Sequence, residues 1–114
     1  MKVLVCGGRE YNDKEKVNNS LKKLRDKHGI DLIIEGGAKG ADKLGGEWAD
    51  SNGIPHCTFH ANWEALGKRA GPIRNENMIK FGSPDCVVAF AGGIGTNGMI
   101  RLAESAGIPV WRIK

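Results

Sequence analysis

The sequence predicts an α/β fold, a three-layer domain over residues 1–114 in which a five-stranded parallel sheet carries helices on both faces. Three observations predict it. Short apolar runs alternate with amphipathic segments of about ten to fifteen residues, the pattern of strand-helix-strand units. Glycine-rich turns follow the first, second and fourth of these runs. Proline stands just before or at the start of the third and fifth. The passages Ala49-Asp-Ser-Asn-Gly-Ile-Pro and Ala103-Glu-Ser-Ala-Gly-Ile-Pro each end a helix at a glycine and enter a strand through proline. Proline is best tolerated at a sheet edge, so strands three and five are expected to be the edges, and the order 3-2-1-4-5 satisfies this. The expected fold is Rossmann-like.

The elements follow in order. Lys2 to Cys6 is an apolar first strand ending in Gly7-Gly8. Asn12, with Glu15 three residues on, forms a capping box for a first helix running to about His28 and Gly29. Val17, Leu21 and Leu24 give that helix an apolar stripe, opposite Lys14, Lys16, Lys22, Lys23, Arg25 and Lys27. No aromatic residue interrupts the basic face, which reads as solvated rather than base-stacking. Asp31 to Glu35 is the second strand, leading into Gly36-Gly37-Ala38-Lys39-Gly40. A second helix, Ala41 to Asn52, buries Ala41, Leu44 and Trp48; the third strand spans Ile54 to Phe59. Pro72, suited to a first helical turn, opens a third helix reaching about Phe81. Asp85 to Phe90 is the fourth strand and Pro109 to Ile113 the fifth. Between them, the loop from Ala91 leads into a helix over Thr96 to Ala106, with Met99, Leu102, Ala103 and Ala106 at helical spacing.

Composition narrows the function classes. A net charge of +4 and a pI of about 9.1 permit a nucleic-acid partner without demanding one. No apolar run is long enough to span a bilayer and the first residues do not form a signal peptide, so a cytoplasmic protein with no membrane partner is expected. Cys6, Cys57 and Cys86 are odd in number, lack Cys-x-x-Cys spacing and fall in strands, where they are expected to be reduced and buried. His56 and His60 share a strand face with no further ligand pair, so no metal site is expected. No Ser-His-Asp, paired-carboxylate or Cys-His set stands out.

The chemistry concentrates at the glycine loops. The order 3-2-1-4-5 places strands one and four side by side where the winding reverses, so Gly7-Gly8-Arg9 and Gly92-Gly93-Ile94-Gly95-Thr96 should face one crevice. Glycine lets the backbone approach a ligand, and the unpaired N–H groups opening a helix favour an anion. Arg9, Lys39, Lys68, Arg69 and Arg74 should gather at the same end of the sheet, the arginines being better suited than lysine to two-point contacts with phosphate. The expected ligand-binding set is Gly7, Gly8, Arg9, Gly36, Gly37, Lys39, Asp42, Lys68, Arg74, Asn75, Gly92, Gly93, Gly95 and Thr96. Glu35 and Asp42 flank the second loop, where a carboxylate can hold ribose hydroxyls; Asp42 fits the first turn of its own helix equally well. Asn75 either bonds a ligand or ties its loop. Trp63 packs on the core or over the crevice, with the core expected. The dinucleotide fingerprint G-x-G-x-x-G is absent after the first strand.

These motifs together resemble the YspA-type branch of the SLOG superfamily. They are Gly7-Gly8-Arg9, Glu-Gly-Gly-Ala-Lys-Gly-Ala-Asp from 35 to 42, Trp63, Gly71-Pro-Ile-Arg-Asn-x-x-Met to Met78, and Gly92-Gly-x-Gly-Thr96. The superfamily also contains the Lonely Guy phosphoribohydrolases and the DNA-processing protein DprA. The resemblance implies a Rossmann-like domain that binds a nucleotide or nucleotide-derived ligand, commonly as a self-associating sensor, with no further cofactor required. In the phosphoribohydrolases the loop reads Pro-Gly-Gly-x-Gly-Thr-x-x-Glu; here Ala91 replaces the proline and Met99 the glutamate that supports N-glycosidic cleavage. Phosphate binding is then expected without that chemistry. Two alternatives stay open: a nucleotide hydrolase using Glu35 or Asp42, and a single-stranded nucleic-acid binder resembling DprA.

Overall fold

The computed structural model describes residues 1–114. Five strands, β1 (Lys2–Cys6), β2 (Leu32–Glu35), β3 (His56–Thr58), β4 (Cys86–Ala89) and β5 (Val110–Arg112), form one sheet in the order β3-β2-β1-β4-β5. Every pairing is parallel; Leu4 lies opposite Ile34 on one side and Val87 on the other. The helices are α1 (Lys14–His28), α2 (Ala41–Ser51), the short α3 (Trp63–Leu66), α4 (Ala70–Gly82) and α5 (Ile94–Ser105). None is long and apolar enough to cross a membrane.

Alternation along the strands divides the interior into two apolar layers. Val3, Val5, Ile33, Cys86 and Val88 face one side, packed with Val17, Leu21 and Leu24 of α1 and Trp48 and Ala49 of α2. Leu4, Cys6, Ile34, Val87 and Ala89 face the other, against Met78 of α4 and Met99, Ile100 and Ala103 of α5. Central strands buried on both faces must be apolar throughout, which is why β1 and β4 read as unbroken hydrophobic runs. The prolines enter the edges as expected, yet they still serve the sheet through their carbonyls. Pro55 O accepts from Ile33 N–H (3.0 Å) and Pro109 O from Val87 N–H (2.9 Å).

Several local expectations are corrected. Asp13, not Asn12, caps α1: its carboxylate accepts from Lys16 N–H (3.0 Å), while Asn12 uses its carbonyl to accept from Lys14 N–H (2.9 Å). A carboxylate at the positive end of the helix outcompetes the neutral amide. Cys57 lies exposed on edge strand β3; Cys6 and Cys86 are buried and all three are free thiols. The helix with Pro72 in its first turn starts at Ala70 and is preceded by a Gly67–Arg69 3-10 turn and by α3, where Asn62 accepts from Ala65 N–H (3.1 Å). α5 begins at Ile94, so Gly95 and Thr96 belong to its first turn.

The helix α2 rides close to the sheet. A Cβ on Gly45 would lie 3.0 Å from Val5 Cγ1, and Val5 is fully buried and β-branched. Gly45→Leu is therefore expected to lower stability by roughly 1–3 kcal/mol through overpacking. Gly98→Ala, in the interior of α5 with no atom within 4 Å of the new methyl, should instead raise it by up to about 1 kcal/mol. Urea unfolding of both variants measures the difference.

Candidate functional site

The carboxyl ends of β1 and β4 open into a cavity of about 670 Å³ between the loop after β1, α4 and the first turns of α5. Its framework is set by Gly8. Gly8 N–H donates to Ala91 O (2.8 Å), fastening the loop after β1 to the loop after β4. Gly8 O accepts from Tyr11 N–H and Ala41 N–H (3.2 Å each), fastening it also to the start of α2. Such closeness excludes side chains on the facing residues. A Cβ on Gly92 would collide with Thr96 Oγ1 and Gly8 N, and one on Gly40, whose φ is +76°, with the Gly8 carbonyl.

The hydrogen bonds of α5 begin with Asn97 N–H to Gly93 O (3.0 Å). The N–H groups of Ile94, Gly95 and Thr96 thus have no intrahelical acceptor, and they open beside the cavity. Thr96, only 7% exposed, contributes its side chain beneath Gly92. No acidic residue occupies this first turn, so the positive end of the helix is uncompensated.

A second network positions the opposite wall. The buried Asp42 carboxylate accepts from Gly36 N–H (2.9 Å) and Ala38 N–H (3.4 Å). Arg74 Nη1 donates to Gly36 O (2.6 Å) and its Nε to Asn75 Oδ1 (3.0 Å); Asn75 Nδ2 donates to Gly95 O (3.2 Å). One chain of bonds therefore runs from the loop after β2, through α4, to the first turn of α5. Gly36 leaves room for it, since a Cβ there would stand 2.6 Å from Arg74 Nη1 and 2.9 Å from Asp42 Oδ2. Burial pushes Asp42 up to about 6, against the lowering effect of its two N–H donors and the Arg74 charge. Burial also pulls Arg74 below its ordinary value, though a guanidinium stays charged at neutral pH. Cys6 on the cavity floor is pushed up to about 12 by burial and by the Asp42 charge, so it offers no thiolate.

Of the residues expected at the site, Gly7, Gly8, Arg9, Asp42, Lys68, Arg74, Asn75, Gly93, Gly95 and Thr96 line the cavity. Gly36 and Gly92 support it from behind, through Arg74 and Thr96. Gly37 and Lys39 turn instead to a separate depression with Glu35, His56 and Thr58. Glu35 is not brought to the crevice: its carboxylate accepts from Gly37 N–H (2.7 Å) and Thr58 Oγ1 and lies 3.5 Å from His56 Nδ1. The alternation of β2 explains this, because Glu35 follows Ile33 to the α1–α2 face. His56 Nε2 lies 3.0 Å from Asp50 Oδ1, and no cluster with the composition of a metal site is present. Trp63 corrects the expectation of core packing: it is 48% exposed, belongs to neither apolar layer and lines the cavity. Ile94, Glu76 and Arg101 also line it and were not singled out from the sequence. The spacing of Ile94, Gly98 and Arg101 along one helix face was the available signal. Met99 is 1% exposed and packed in the core.

Fold and site together define a Rossmann-like protein with a glycine-walled crevice where the strand order reverses. Residues 1–65 match the family described as YspA, cpYpsA-related SLOG, and the chain belongs to that family. It is 33% identical over 117 residues to the Gene 61 protein of Mycobacterium phage D29, across 96% of this chain and 93% of that protein. Membership places the chain, at a coarse level, among proteins of nucleotide-related binding or processing. The matched segment holds the loops after β1 and β2, whereas Arg74 and the Gly92–Thr96 loop lie beyond it.

The position of Asp42 makes stability depend on pH. Its folded value lies above the ordinary 3.8, so folding favours the protonated form; this contribution is complete below about pH 4 and lost as the pH rises through about 6. Asp42→Asn keeps a carbonyl acceptor and does not titrate. The stability of the native chain relative to Asp42→Asn should fall by roughly 3 kcal/mol across that window in urea unfolding, and a flat difference would contradict the assignment.

Proposed function

We propose that the crevice binds a nucleotide or nucleotide-derived ligand by its phosphate and that the protein acts as a sensor or accessory binding protein. The observation that carries this reading is the open first turn of α5. Three N–H groups without intrahelical acceptors and the Thr96 side chain share one cavity with Arg9 and Arg74. Phosphate oxygens accept from both kinds of donor. Lys68 and Arg101 add positive charge at the rim of the cavity. Met99 lines the crevice at the place of the phosphoribohydrolase glutamate, and its thioether cannot transfer a proton, which supports binding over N-glycosidic cleavage.

One observation favours a second reading. Asp42 lines the crevice with its titration raised to about 6, a value suited to proton transfer near neutrality. Incubation with nucleoside monophosphates and chromatography for free base tests it: base release lost in Asp42→Asn would establish a hydrolase, and no release would exclude N-glycosidic cleavage of these nucleotides.

Binding itself is read by thermal stabilisation with the four ribonucleoside 5′-monophosphates. A Cβ at Gly95 meets no atom within 4 Å, so Gly95→Val should fold normally while filling the space in front of the helix end, and it should abolish the stabilisation. Thr96→Val, which exchanges the hydroxyl for a methyl of similar size, should weaken affinity by about tenfold. Stabilisation of Gly95→Val equal to that of the native chain would mean that the phosphate sits elsewhere.

A further inference from the structure

We infer that Trp63 is the platform for a planar ring of the crevice ligand, so that the site selects molecules bearing a nucleobase over simple sugar phosphates. This deepens the phosphate reading and rests on it. The short helix α3 that carries Trp63 buries none of its residues. Trp63 is therefore not held there by the core. The end of its ring rests on α4 at Gly71, where a Cβ would lie 3.3 Å from Cη2, and half of the side chain stays open. A large aromatic ring left half-exposed at a cavity wall is a surface awaiting a partner.

The present partner is Arg9. Its guanidinium carbon lies 5.4 Å from the Trp63 ring centroid. Arg9 directly follows Gly8, the residue that fastens the loop after β1 to the loop before α5. The platform and the open helix end are thus joined through two consecutive residues. Arg9 covers the indole; on binding, the ring of the base takes the indole face and the guanidinium turns to the phosphate. The exchange is favourable on both sides, since base stacking on an aromatic is stronger than an exposed cation–π contact. A guanidinium also finds a better partner in phosphate than in an indole. The two residues then discriminate different parts of one molecule, Trp63 the base and Arg9 the phosphate.

Isothermal titration of the native chain, Trp63→Ala, Trp63→Phe and Arg9→Ala with the four nucleoside monophosphates and with ribose 5-phosphate tests the assignment. Trp63→Ala should weaken the tightest-binding nucleotide by about ten- to a hundredfold. It should not weaken ribose 5-phosphate, since Arg9 then has no indole contact to give up, and Trp63→Phe should restore most of the nucleotide loss. Arg9→Ala should weaken both classes of ligand together. Equal loss of nucleotide and ribose 5-phosphate in Trp63→Ala, or no loss of either, would overturn the platform while leaving the phosphate site in place. If the native chain binds neither class, the phosphate reading itself fails and the platform with it.

Discussion

The structure depends on how closely three backbone loops approach at Gly8. Both polar groups of its backbone are taken by neighbouring segments, the N–H by Ala91 and the carbonyl by Tyr11 and Ala41. Those contacts bring the ends of β1 and β4 and the start of α2 to van der Waals distance, and side chains at Gly40 or Gly92 would force them apart. The three loops meet because Gly8, Gly40 and Gly92 carry no side chains. The crevice wall combines main-chain N–H groups held rigidly at the start of α5 with the side chains of Arg9, Arg74 and Thr96.

The second constraint is the buried polar chain from Asp42 to Gly95. Asp42, Arg74 and Asn75 are costly to bury singly; linked to Gly36, Ala38 and Gly95, each has a partner, and no buried side-chain polar atom of the protein lacks one. The chain fixes α4 relative to the first turn of α5 across the mouth of the crevice. It also gives Asp42 and Asn75 structural employment, so the residue types that suggested ligand contacts serve first to shape the wall. Arg74 has one nitrogen committed to Gly36 and another to Asn75, which aligns the guanidinium without consuming all of its donors.

Much of this architecture was legible before any coordinates. Strand order followed from prolines at the two edges, and the apolar runs of β1 and β4 announced strands buried on both faces. The meeting of the loops after β1 and β4 followed from strand order plus glycine, because that order alone decides which loops meet, whereas Glu76, Ile94 and Arg101 in the cavity wall did not. Trp63 was misjudged because a lone tryptophan in a polar stretch carries no periodicity to say which way it faces. Glu35 was misjudged for the opposite reason: β2 alternates, and Ile33 shares the face it takes, but the crevice lies past the strand end where a side chain could have turned either way.

By itself, then, the sequence determined the parallel sheet, its order, the family and the meeting of glycine loops at the reversal of winding, since these rest on periodicity, proline and glycine, which act locally. Only the tertiary structure decided which polar groups are spent on the protein and which stay open. Asp42 and Asn75 brace the walls, Glu35 faces away, and the first turn of α5 remains without acceptors. Hydrogen-bond partners far apart in sequence, such as Arg74 with Gly36 and Asn75 with Gly95, are chosen by packing in three dimensions, and no local pattern encodes them.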